Sequence, residues 1–130
     1  MSSEHRTDDI FPEPPPIAPA VRAGNTIYLA GQVATDNDGN VLNVGDLKGQ
    51  TEIIFDKITK ILEAEGGSLD DVVKMVTYFA VPLNRQVAEE YWSVRRRHFG
   101  GRTVASTGVQ VASLIHEECI LEVDVTAVVD

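Results

Sequence analysis

"CILEVDVTAVV", residues 119–129, is the stretch that decides the fold. Ile120, Glu122, Asp124 and Thr126 alternate with Leu121, Val123, Val125 and Ala127. A period of two marks a strand with one face in a core and the other out of it. The chain is therefore built around a sheet with one buried side, and another layer must bury it.

That layer is encoded upstream. Residues 47–65, LKGQTEIIFDKITKILEAE, place Ile54, Ile58, Ile61 and Leu62 at helical spacing, which predicts an amphipathic helix with one buried face. Gly66-Gly67 ends it with residues that accept positive φ. DVVKMVTYFAV, residues 71–81, has the β-branched and aromatic content of a buried strand. Asn84 then caps a second helix whose inner stripe is Val87, Tyr91 and Val94. Two strands follow, over about 103–112 and 119–129.

Toward the N-terminus, AVRAGNTIYLAGQVA (residues 20–34) reads as two strands around a turn at Gly24-Asn25. Asp38-Gly39 either closes a hairpin or forms a loop. Residues 1–16, ending in PEPPP, read as a flexible arm ahead of a single domain over 17–130, because the prolines block helix and central strand. The order β-β-α-β-α-β-β predicts an α+β two-layer sandwich: a mixed sheet with two helices on one face. Its open face would be covered in an oligomer.

A length of 130 residues suits one domain, with 43% hydrophobic and 24% charged residues as in ordinary globular chains. Eleven basic against twenty acidic residues leave a net charge of −9, which argues against a nucleic-acid partner. Arg95-Arg96-Arg97 is the local exception, but on a helix the three point in different directions and read as solvated surface. Cys119 stands alone, so no internal disulfide forms and a reducing compartment fits. No apolar run approaches the ~20 residues of a membrane span, and the polar, acidic start is unlike a signal peptide. The expectation is a cytoplasmic protein with no membrane partner.

Residues 101–111, GRTVASTGVQV, add a question. Val104, Val109 and Val111 belong in a sheet, yet Ser106, Thr107 and Gly108 interrupt them. Such a stretch is either a loose strand or a pocket wall that something must approach closely.

AVRAGNTIYLAGQV, GQTEIIFDKITKILEAEGGSLDDVVKMVTYF, EEYWSVRRRHF and STGVQVASL with LEVDVTAVV follow one another in an order that resembles the RidA/YjgF (reactive intermediate deaminase) family over about residues 17–129. The resemblance implies a chorismate-mutase-like homotrimer with helices outside and ligand clefts between subunits. It also implies hydrolysis of enamines and imines such as 2-aminoacrylate, releasing ammonia without a cofactor. Deaminating members hold the substrate carboxylate with an arginine in P-A-R-[ST]. Aligned backward from GVQVASL, this chain has VAST, and the arginine position falls on Ser106. Serine cannot supply a charged bidentate grip. The family tyrosine is replaced by Ile17, the serine of S-G-Q by Ala30, and an asparagine by Ala88, while Gly31 and Gln32 match. Gly108 takes a small or cysteine position, with Thr107 beside it, and Glu122 matches the glutamate that orients or activates water.

The resemblance thus implies Glu122 as catalytic residue and Ile17, Ala30, Gly31, Ala88, Ser106, Thr107 and Gly108 as substrate-binding residues. The expected function is a cofactor-free hydrolase, deaminase or lyase acting on a small imine, enamine or related metabolite, but not efficient 2-aminoacrylate deamination. The alternative is a non-enzymatic small-molecule-binding or sensing protein using the same cleft. Holdase and ribonuclease activities are also ascribed to the family, and the acidic charge ranks RNA cleavage last.

Each residue has a plainer reading beside the functional one. Glu122 among apolar neighbours would have a raised pKa and serve as base or acid; on a two-sided strand it would simply face solvent. Ser106 and Thr107 lack an acid-His-nucleophile pattern and read as pocket lining or small strand residues. Arg102 is the nearest charge that could substitute at Ser106, yet four extended residues are roughly 13 Å. Gly100-Gly101 would permit the required bend; otherwise Arg102 is a surface or interface arginine. His116, Glu117, Glu118 and Cys119 lack metal-site spacing and read as an acidic turn, so no metal is expected. Trp92 points away from Tyr91's side of the helix, toward another subunit.

Overall fold

In the computed structural model, which describes residues 14–130, strand β1 (Ala20–Ala23) turns at Gly24-Asn25 into β2 (Thr26–Leu29). Ala23 pairs with Thr26 across the turn, and Gly24 takes φ 62°, as a two-residue hairpin requires. Residues 1–13 of the expected arm lie outside the described residues. The Asp38-Gly39 stretch closes around Asp36, whose carboxylate accepts from the Asp38 and Asn40 amides, both at 2.9 Å, while Thr35 bridges to Val41.

Helix α1 runs over Leu47–Ala64, with Asp46 accepting from the Gly49 amide as its N-cap and Gly66 at φ 86° beyond its end. Ile54, Ile58 and Leu62 are buried as the spacing predicts. Phe55 completes that face, and Ile61 is only partly buried at its margin. A short 3₁₀ turn, Leu69–Asp71, follows; Ser68 and Asp71 cap it reciprocally. Sequence periodicity does not show so short an element. Strand β3 (Val72–Phe79) leads through the Asn84 cap into α2 (Arg85–Phe99), which ends at Gly100 with φ 59°. β4 (Ala105–Gln110) and β5 (Leu121–Val128) are each shorter than expected by a few residues.

The sheet order is β1-β2-β5-β3-β4. All neighbours are antiparallel except β3 and β4, which α2 joins as a parallel pair. Both helices pack on the face carrying Leu121, Val123, Val125 and Ala127, all buried. Edge-to-face aromatic pairs lock this layer: Phe79–Tyr91 at 5.3 Å and Phe55–Phe99 at 5.5 Å. The α+β two-layer architecture is as expected. On the opposite face Glu122, Asp124 and Thr126 are half-buried, and Val21, Tyr28, Val109 and Val128 are exposed.

Candidate functional site

Sheet register divides the expected site residues into two groups. Glu122 lies opposite Tyr78, and Tyr78 opposite Val109, so these three form one row on the open face. Ser106 pairs with Met75 and Gly108 with Thr77, both buried beneath the helices. Adjacent residues of a strand project to opposite faces. One chain therefore holds Glu122 on one side of its sheet and Ser106 with Gly108 on the other.

The Glu122 half is built by a backbone bridge. Gln32 and Val123 exchange both N–H···O bonds, at 2.8 and 3.0 Å, so the chain after β2 runs beside β5 and brings Gly31 against Glu122. A Cβ at Gly31 would stand 2.0 Å from Glu122 Oε2. Only glycine leaves room for the carboxylate in this position. Burial, reinforced by the negative charge of Asp124, raises the Glu122 pKa above the usual carboxylate range. Tyr78 donates to Asp124 Oδ2 at 3.1 Å, which fixes that neighbouring charge. Ala30 flanks Gly31, its amide donating to Pro19 O at 3.0 Å, while Ile17 is largely exposed ahead of β1.

The second half is a cleft of about 260 Å³ between α2 and β4, where Ala88, Ser106, Thr107 and Gly108 do come together. Phe79, Leu83 and Tyr91 give it apolar walls. Gly108 keeps its floor low, and Ala88 leaves one wall short. Thr107 borders the cleft, but its hydroxyl accepts from Lys74 Nζ at 3.3 Å on the open face. Tyr91 is held by a 2.6 Å hydrogen bond to Thr77, in which either hydroxyl can donate.

Arg95 is the residue that sequence reasoning missed. It is half-buried, lines the cleft and donates to Ser106 Oγ, with its guanidinium carbon 5.9 Å from the centroid of the Tyr91 ring. The reading of all three consecutive arginines as solvated surface is thus corrected for Arg95. The signal was helical spacing: positions 88, 91, 92 and 95 share one face of α2. Arg97 turns the other way and pairs with Glu52 of α1, which His98 also contacts at 2.7 Å. Arg102 borders a wider neighbouring cleft of about 470 Å³ together with Ser106. Its guanidinium donates to Leu69 O and Val72 O, both at 3.0 Å, and so ties the start of β4 to β3. Trp92, expected to point away from Tyr91's side of the helix, instead lines the same cleft as Tyr91 and is exposed at its junction with the wider one.

Cys119 is buried, and that burial raises its thiol pKa. Glu117 and Glu118 are exposed on the turn before it, and among the described residues no cluster of three such side chains could hold a metal ion. None of the described helices is long and apolar enough to cross a membrane.

The endoribonuclease L-PSP family model matches residues 13–129. A RutC family protein of Pyrococcus horikoshii is 33% identical over 123 residues, which are 91% of this chain and 94% of that protein. The 3-aminoacrylate deaminase RutC of Acinetobacter baylyi is 36% identical over 96 residues, 67% of this chain and 76% of that protein. The structure of RidA from an Antarctic Psychrobacter superposes with a TM-score of 0.77 at 29% identity, covering 88% of this chain and 89% of that one. With its sequence matched nearly end to end and its fold shared, the chain belongs to the endoribonuclease L-PSP family, that of the RutC and RidA/YjgF proteins.

Proposed function

We propose that the protein is a cofactor-free hydrolase that converts small imines or enamines to carbonyl compounds and ammonia. The observation that carries the proposal is the Glu122 carboxylate, half-buried, raised in pKa and seated against a glycine that leaves it reachable. A carboxylate whose pKa is raised by burial is a stronger base than an exposed one, and its acid form can return the proton. An enamine first tautomerises to the imine; water then adds to the imine carbon as Glu122 takes its proton and passes it to the imine nitrogen. The resulting carbinolamine expels ammonia, leaving the carbonyl compound. Backbone amides near Gly31 and Gly108 serve to steady developing negative charge. The deaminase named among the relatives supports this reaction class.

Because Glu122 and the Ser106 cleft lie on opposite faces of one sheet, a complete site takes Glu122, Gly31 and Ala30 from one copy and Ser106, Gly108 and Ala88 from a second. The exposed valines and Tyr28 on the open face give the copies an apolar surface to share in a homotrimer. The test follows ammonia from imines generated in situ, using wild type and Glu122→Gln. Turnover that disappears in the variant while ligand affinity persists is the expected result. Ligand binding without any turnover in the wild type would instead make the protein a binder or sensor.

A further inference from the structure

We infer that Arg95 is the anion anchor of the Ser106 cleft, a guanidinium delivered from α2 to a strand position that carries none, and that the cleft takes 2-oxo or 2-imino acids with an apolar body. The inference rests on reading the cleft as a small-molecule site. Twenty acidic residues crowd this small chain, yet among the described residues no carboxylate pairs with Arg95. Arg97, two residues on, is paired with Glu52, so the helix does not lack acidic partners in general. A guanidinium at the edge of a cleft, with donors left over and no carboxylate beside it, is placed to receive an anion.

Its surroundings hold it ready for one. A guanidinium has five N–H donors in a rigid planar fork. Arg95 spends one on Ser106 Oγ, and Ser106 in turn donates to Val104 O at 2.7 Å, which fixes the hydroxyl as an acceptor toward Arg95. The guanidinium lies over the Tyr91 ring, and Tyr91 is itself pinned by Thr77. Ser106 is then a positioning residue: it aims the charge that its own side chain lacks. Beyond the guanidinium the walls turn apolar at Phe79, Leu83 and Tyr91, and the space is about 260 Å³. Those walls suit an acid whose carboxylate meets Arg95 while a branched apolar body lies against Phe79, Leu83 and Tyr91.

The test titrates 4-methyl-2-oxopentanoate and its neutral amide, by calorimetry, into wild type, Arg95→Met, Arg95→Lys, Ser106→Ala and Arg97→Met. The expected result is acid binding at least about tenfold weaker in Arg95→Met, with the amide's affinity unchanged, as loss of a charge-assisted pair predicts. Arg95→Lys and Ser106→Ala should fall between, and Arg97→Met, which removes the same charge outside the cleft, should match wild type. Equal weakening for acid and amide, acid binding unaffected by Arg95→Met, or no preference for the acid in the wild type would each overturn the inference. The same proteins are assayed for ammonia release. Turnover with Arg95-independent acid binding removes the anchor and leaves the hydrolase; Arg95-dependent binding without turnover keeps the anchor and removes the hydrolase.

Discussion

Replacing Gly31 by alanine adds one carbon at the point where the proposed base sits. That carbon would stand 2.0 Å from Glu122 Oε2, and contacts under 3.0 Å essentially never occur, so the carboxylate must retreat by about 1 Å. Gly31 lies outside the positive-φ region, so alanine itself is conformationally acceptable. The energetic cost is small, because the displaced atom is the end of a flexible side chain. Pushing Glu122 off its rotamer costs about 0.5–1.5 kcal/mol, and the stiffer unfolded chain returns about 0.4–1 kcal/mol. Net stability should change by less than about 1 kcal/mol. Catalysis should suffer far more, since a misplacement of about 1 Å can lower kcat/KM on the order of 100-fold. Gly108→Ala is the companion, its Cβ meeting only Phe79 Cε2 at an ordinary 3.6 Å. Ammonia release and urea unfolding on the same preparations check both quantities. Activity in Gly31→Ala within about twofold of wild type would show that Glu122 does not act from this seat.

Three further outcomes follow from the packing. Burial raises the Glu122 pKa, so the stability linked to its proton is complete below the ordinary 4.5 and lost as pH rises through the raised folded value; Glu122→Gln should be more stable than wild type at pH 8 but not at pH 4. Equal stabilisation at both pH values in urea titrations would contradict that. Gln50 is buried, donating to Leu42 O and Glu118 O, both at 3.1 Å, and accepting from the Ile120 amide at 2.8 Å. Gln50→Leu should therefore lose about 3 kcal/mol, and an unmoved urea midpoint would refute its role in joining two loops to α1. Tyr91→Phe orphans the buried Thr77 hydroxyl and should cost about 1–3 kcal/mol; adding Thr77→Val should recover part of it, whereas strictly additive losses would deny the coupling.

The fold was readable wherever burial imposed a period. The alternation of Leu121 to Ala127 and the spacing of Ile54, Ile58 and Leu62 are local consequences of facing a core. The parallel pairing of β3 with β4 is not local and leaves no mark in either strand's composition. The same divide runs through the candidate site. Ser106 and Glu122 can be placed on faces only when the register against Met75 and Tyr78 is known, so sequence reading grouped them without seeing that they point apart. Gly31 looked like a motif glycine; its meaning, room for a carboxylate from β5, depends on the Gln32–Val123 bridge. Arg95 is one of three identical letters in a row, and only the direction set by α2 separates it from the Arg97 that pairs with Glu52.

The central claim is that two copies complete one site, and mixing tests it most directly. Glu122→Gln removes the base from one half, and Gly108→Leu fills the cleft of the other. Each variant alone should be inactive toward an imine that the wild type turns over. Co-expressed in equal amounts, they should recover about one quarter of wild-type ammonia release, because a site drawing its halves from two chains is intact on both sides in about one case in four. No recovery from mixed assemblies containing both variants would place both halves in a single chain's site and contradict the account.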